Sequence, residues 1–133
     1  MKKIILTSII LSFSLPAFSA PQKPVEIKSV NKTEISTQEA KNLLNKKNYV
    51  FIDVREKSEF DEGHIKGVKL IPLSTINTEA LKLDKNAKYI TVCRSGRRSA
   101  KAAEEMKKLG FNVVTMKGGM LEWQEKGLPV TKN

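Results

Sequence analysis

The sequence predicts an α/β domain with a central, mostly parallel β-sheet covered by helices on both faces. Three observations predict it. Residues 49–54, 89–93 and 111–116 are short apolar runs rich in β-branched side chains, the pattern of strands buried on both faces. Amphipathic stretches of helical period lie between them, and strands that alternate with helices form parallel sheets. The chain has 133 residues, enough for one compact domain with a real core and too few for two.

The elements follow in chain order. Lys2 and Lys3 form a positive lead, residues 4–15 are apolar apart from Thr7, Ser8, Ser12 and Ser14, and Ala17-Phe18-Ser19 supplies small residues. This pattern reads as a signal peptide over residues 1–19, cut after Ser19. The apolar run is shorter than the roughly 20 residues of a spanning helix, and no cysteine follows the cut to carry a lipid. The expectation is export to a periplasm of the Gram-negative type, with no stable membrane anchor after cleavage. Residues 20–33 are polar, with Pro21 and Pro24, and read as a loosely ordered lead-in. The organised domain is expected over residues 34–130.

Ser36 and Glu39 have the spacing of a capping box. Ala40, Leu43 and Leu44 then make one apolar stripe of helical period. Residues 68–71 form a weaker strand candidate ended by Pro72. Residues 99–109 carry Ala102, Ala103, Met106 and Leu109 on one side, and Gly110 stands where a helix stops. Residues 120–126 read as a short last helix closed by Gly127-Leu128-Pro129.

Composition excludes several function classes. A single cysteine and a single histidine rule out an intrachain disulfide, a zinc site of several cysteines and an ordinary histidine cluster. The formal charge is +10, which suits anionic partners. The lysines are scattered and aromatic residues are only 6%, so the stacking platform of a nucleic-acid binder is missing.

The chemistry concentrates in Cys93-Arg94-Ser95-Gly96-Arg97-Arg98-Ser99. The segment follows a buried strand and precedes a helix, and ligands of open α/β sheets bind at the carboxyl ends of strands. Backbone N–H groups in such a turn converge into an anion nest, and Gly96 allows the tight turn. The nest, the helix N-terminus and three arginines all favour thiolate over thiol at Cys93. A thiolate among donors is a nucleophile for an anionic electrophile. The bland reading is a buried cysteine acting as a small hydrophobe. Against it, arginines in a first helical turn oppose the helix dipole, a local cost that points to a use.

In these segments the chain resembles the rhodanese family of sulfurtransferases. Asp53-Val54-Arg55-Glu56 with Glu59-Phe60 is similar to its acidic–arginine motif. Gly63-His64-Ile65-Lys66-Gly67-Val68 with Pro72 is similar to its Gly-His-Ile signature. Residues 93–98 are similar to its active-site loop, and Gly118-Gly119 with Trp123 and Gly127-Leu128-Pro129 to its C-terminal signature. The resemblance implies a three-layer domain and a persulfide mechanism, for which no metal or organic cofactor is expected. Cys93 would take the outer sulfur of a small anionic donor such as thiosulfate and pass it to a thiophilic acceptor, cyanide or a thiol, a periplasmic protein among the candidates. Arg94, Ser95, Gly96, Arg97, Arg98 and Ser99 would bind the donor. Alternatives are a rhodanese module that carries sulfur or binds a protein without turnover, and a redox protein, for which a lone cysteine lacks a resolving partner.

Loop length weighs against phosphatase or arsenate reductase chemistry. Those loops are longer and place arginine six positions after cysteine; here that position is Ser99, and Arg98 stands five positions on. Three residues are expected in support. Asp53 orients the loop or pairs with an arginine. Arg55 contacts substrate or pairs with Glu59. His64 is read as a buttress of the loop rather than a base. Trp123 is expected in the core, and Gly118-Gly119 in a close turn beside the site.

Overall fold

The computed structural model describes residues 32–133, together with Ser14. The signal-peptide pattern at 1–19 and all but the end of the 20–33 lead-in lie outside the described residues. The domain's elements are β1 (Glu34–Ile35), α1 (Thr37–Leu43), β2 (Tyr49–Asp53), α2 (Lys57–Glu62), β3 (Lys69–Leu70), α3 (Ile76–Glu79), β4 (Lys88–Val92), α4 (Arg97–Lys108), β5 (Asn112–Met116) and α5 (Gly119–Glu125). Single 3₁₀ turns flank α3 at Leu73–Thr75 and Ala80–Lys82.

The sheet runs β1-β5-β4-β2-β3, and every strand pair is parallel. The expected mostly parallel sheet is therefore wholly parallel. Its interior strands, β2, β4 and β5, are the three apolar runs read from sequence. The fourth candidate shrinks to the edge pair Lys69–Leu70. A fifth strand, β1, is only Glu34–Ile35 and exists through its register with Thr115 and Met116.

Alternate side chains divide the core into two layers, as the period-two geometry of a strand requires. Ile52, Tyr89, Cys93 and Val113 join Ala102, Ala103 and Met106 of α4 and Ile76 of α3 in one apolar cluster. Phe51, Ile90, Val92 and Met116 join Ala40 of α1 and Met120 and Trp123 of α5 in the other. The sheet is thus the middle of three layers. Trp123 is fully buried and its indole N–H donates to Pro129 O at 2.9 Å.

Local chemistry sets the helix starts. Ser36 Oγ accepts from Glu39 N at 3.1 Å, and Glu39 Oε2 accepts from Ser36 N at 2.8 Å. These two bonds complete the capping box that starts α1. α2 carries no apolar stripe and begins on a second box formed by Glu56 and Glu59. α4 starts on Gly96, whose φ of +100° lies in the left-handed region that glycine tolerates. The C-terminal segment returns to the domain, where His64 and Thr131 exchange backbone hydrogen bonds at 2.9 and 2.8 Å. Among the described residues no helix is long and apolar enough to cross a membrane.

Candidate active site

Cys93 is the first residue beyond β4, the middle strand, and is the free cysteine of the described residues. Its side chain belongs to the cluster on the α4 side of the sheet and is fully buried. The chain turns at residues 93–96 so that Gly96 N–H donates to Cys93 Sγ at 3.0 Å. A hydrogen bond from backbone to sulfur gains strength when the sulfur is charged.

The turn is held from two sides. From α5, Met120 N donates to Cys93 O at 2.8 Å and Leu121 N to Arg94 O at 3.0 Å. These bonds need a backbone approach that only glycine permits. A Cβ on Gly119 would stand 2.3 Å from Arg94 O and 2.5 Å from Cys93 O, at a φ of +59°. Gly118-Gly119 therefore forms the close turn beside the site. From the core side, Ser99 Oγ donates to Gly96 O at 3.2 Å and accepts from Thr115 Oγ1 at 2.7 Å, while Thr91 Oγ1 donates to Ser99 O at 2.8 Å. Ser99, expected in the anion cradle, is fully buried and props the turn from behind.

The arginines separate into different environments. Arg94 and Arg97 are exposed and Arg98 is half-buried. Arg98 donates from Nη1 to Glu59 Oε2 at 2.8 Å and from Nη2 to Glu59 Oε1 at 2.7 Å. The Arg98 guanidinium holds the Glu59 carboxyl down at about 2 against an ordinary 4.5; partial burial opposes it, and the Glu56 N–H adds to it. Glu59 in turn raises the Arg98 pKa.

Asp53 and Arg55 pair with each other. Arg55 Nε lies 3.0 and 3.1 Å from the two Asp53 oxygens, and Nη2 lies 2.7 Å from Oδ2. Arg55 Nη2 also donates to Gly63 O at 2.8 Å. The pair is buried, with 6% and 1% of the side chains exposed. The expected alternative pairing of Arg55 with Glu59 is not formed, because Asp53 two residues back takes the guanidinium and Glu59 faces Arg98. His64 stacks on Phe60 with ring centroids 3.7 Å apart, and its Nδ1 lies 2.7 Å from Phe60 O. Both contacts are local and tie α2 to the segment that follows it.

Two clefts flank the turn. One, about 230 Å³, has Arg55, Glu59, Glu62, Arg94, Met120 and Leu121 among its lining residues. The other, about 420 Å³, is lined by Leu73, Ser95, Arg97, Arg98 and Lys101. The site-residue expectations missed Glu59 as the partner of Arg98. Its signal was its place in the acidic–arginine motif. Lys101, four residues beyond Arg97 and so on the same helical face, also lines the second cleft.

Residues 36–126 match the rhodanese-like domain family. The chain is 35% identical over 97 residues to "Putative sulfurtransferase YtwF" of Bacillus subtilis, covering 72% of this chain and 94% of that one. It is 38% identical over 96 residues to "Putative sulfur carrier protein YrkF" of the same organism, 71% of this chain and 48% of that one. It thus spans about half the length of that relative. The crystal structure of a rhodanese-related protein from Thermoplasma volcanium superposes with a TM-score of 0.70 at 34% identity, over 75% of this chain and 98% of that one. The parallel sheet, the cysteine turn at the end of its middle strand and the run of matched residues lead to one assignment: the chain belongs to the rhodanese-like domain family.

Proposed function

We propose that the chain is a sulfurtransferase that works through a persulfide on Cys93. The observation that carries this reading is the Cys93 turn itself. A sulfur at the carboxyl end of the middle strand accepts a backbone N–H from Gly96 at 3.0 Å, at the head of a helix whose first turn is basic and holds no acid. The family match and the sulfur-transfer names of two relatives support it.

The chemistry balances as two displacements. Cys93 thiolate attacks the outer sulfur of a thiosulfate-type donor. The donor's sulfur–sulfur bond breaks, sulfite departs with the electron pair, and Cys93 keeps one extra sulfur. Cyanide or a thiolate then attacks that terminal sulfur, and the bond to Cys93 breaks with its electron pair returning to the cysteine. Preorganised donors act where charge develops. The Gly96 N–H serves the cysteine sulfur, and the arginines of the mouth serve the departing dianion. No metal or organic cofactor enters either step. Because Cys93 is fully buried, attack requires the turn to yield enough to bring Sγ to the donor.

A second reading is a sulfur carrier that delivers to a protein. Leu121 favours it, a leucine 46% exposed that lines the cleft beside Arg94. Steady-state kinetics with thiosulfate and cyanide separate the two. Parallel double-reciprocal lines, with thiocyanate formed and no turnover in Cys93→Ser, are the result expected of the enzyme. Sulfur loading without turnover on cyanide selects the carrier.

We also propose export to the periplasm, a reading supported by the lysines, apolar run and small residues of positions 1–19.

A further inference from the structure

The smaller cleft adjoins the cysteine turn through its own lining residues. Arg94 directly follows Cys93, and Met120 and Leu121 donate their amides to Cys93 O and Arg94 O at 2.8 and 3.0 Å. Arg98 belongs to the same neighbourhood. Its pKa is raised first by Glu59, which lines the cleft, and further by the charges of Cys93 and Asp53.

The cleft offers uncommitted groups of both signs. Arg55 is only 5% exposed and is fixed through Nε and Nη2 by Asp53 and Gly63 O. Its Nη1 makes no hydrogen bond among the described residues, and none of their fully enclosed side-chain nitrogens lacks a partner. Because Arg55 lines the cleft, that unused edge opens toward it. A guanidinium locked on one edge and open on the other is a preorganised receptor for a carboxylate. Arg94 adds a second cation. Glu59 is taken by Arg98, but Glu62 in the same cleft is exposed and makes no ion pair among the described residues.

We propose that this cleft is the acceptor subsite and that it takes a small amphoteric thiol of the free-cysteine type, its carboxylate on Arg55 and Arg94 and its ammonium on Glu62. The proposal rests on the sulfurtransferase reading and names its acceptor. A free carboxylate in the cleft repels a dianionic donor and gives cyanide nothing to hold. The same carboxylate completes a site for a ligand that carries both charges. At about 230 Å³ the cleft is below the roughly 300–1,000 Å³ of drug-sized sites, the scale of a single amino acid. The acceptor enters as thiolate, its proton left to solvent. Its sulfur bonds the terminal sulfur of the Cys93 persulfide, the bond to Cys93 breaks, and the electron pair stays on Cys93. The acceptor departs as a persulfide, and no oxidant is consumed.

The test discharges sulfur-loaded chains with limiting free cysteine or with N-acetylcysteine, which keeps thiol and carboxylate but lacks the ammonium. Wild type is compared with Glu62→Gln and with Glu125→Gln, an exposed glutamate outside the cleft. Each acceptor is compared only with itself across chains, so its own thiol pKa cancels. Glu62→Gln is expected to slow discharge by free cysteine about threefold to fivefold, the scale of one exposed charge contact, and not to slow discharge by N-acetylcysteine. Glu125→Gln should change neither. Equal effects of Glu62→Gln on the two acceptors overturn the proposal.

The second reading is the amide spectrum during titration with serine, which has the two charges and no thiol. Shifts at Glu62, Arg94 and Leu121 that vanish in Glu62→Gln support the subsite, and their absence in wild type overturns it. A wild-type chain that takes no sulfur from thiosulfate, yet shows the Glu62-dependent serine response, sinks the thiosulfate reading and supports the amphoteric subsite.

Discussion

Glu59 and Arg98 meet at two points, 2.8 and 2.7 Å, and so tie α2 to the first turn of the helix that follows the cysteine turn. The two residues are 39 positions apart in sequence. With 29% and 35% of their side chains exposed, they are screened, and the value of the pair is discounted accordingly. Glu59→Gln is expected to lower stability by about 1 kcal/mol near neutral pH, measured by urea unfolding. The pH dependence has a definite sign. The folded-state value of about 2 lies below the ordinary 4.5. The carboxylate's contribution is therefore full above about 4.5 and is lost as pH falls toward about 2. The gap between wild type and Glu59→Gln should close across that window. A gap that widens on acidification would contradict the assignment.

Gly119 is where backbone approach fixes the turn. A Cβ there would sit 2.3 and 2.5 Å from two carbonyl oxygens that cannot swing away as a side chain can. Gly119→Ala is expected to cost about 2 kcal/mol or more and to slow sulfur loading, read as a drop in thermal midpoint and in loading rate. At Gly118, whose φ is +78°, a Cβ would stand 1.8 Å from Glu122 Oε2 and 2.8 Å from Glu122 Cβ; the carboxylate can swing away but the Cβ cannot, so Gly118→Ala is expected to destabilise as well.

Ser99 joins the turn to the sheet. Ser99→Ala removes the partner of the Thr115 hydroxyl, a bond of 2.7 Å in the core. An orphaned buried hydroxyl costs about 1–3 kcal/mol. Thr115→Val in the same chain removes the orphan, so the double variant should recover part of the loss. Strict additivity of the two changes in a double-mutant cycle would count against the coupling.

Asp53 and Arg55 form a buried pair, and a buried guanidinium left without its carboxylate is expensive. Asp53→Asn should destabilise the domain by about 3 kcal/mol or more, seen as a lower denaturation midpoint with an unchanged urea slope. A change under 0.5 kcal/mol, the usual scale of a surface substitution, would mean that the pair is solvated.

Expression of the full chain in a Gram-negative host addresses export. The exported protein should begin at Ala20 by N-terminal sequencing. Retention in the cytoplasm with Met1 intact would refute the proposed leader.

Much of the fold is written locally in the sequence. β2, β4 and β5 announce themselves because a strand buried on both faces is a continuous apolar run. α1 is announced by Ser36 and Glu39, whose reciprocal bonds need only three residues of spacing. β1 is not legible, since two residues carry no pattern and Glu34–Ile35 become a strand only against β5. α2 is equally silent, because its sequence holds one large apolar residue, Phe60, and its start depends on two glutamates. In the site, the Cys93 turn was legible since the strand, Gly96 and the arginines are contiguous. Charge partners were not. Helical spacing suggested Arg55 with Glu59, but the path of the chain gives Arg55 to Asp53 and presents Glu59 to Arg98. Ser99 looked like a ligand because it ends the loop in sequence, whereas the first turn of α4 rotates it into the core.

The central claim is a sulfur carried on Cys93, and intact mass of the folded chain before and after thiosulfate tests it most directly. A gain of one sulfur atom, removed by cyanide and absent in Cys93→Ser, is the predicted result. An unchanged mass in a folded chain whose Cys93 is still alkylated readily would contradict it.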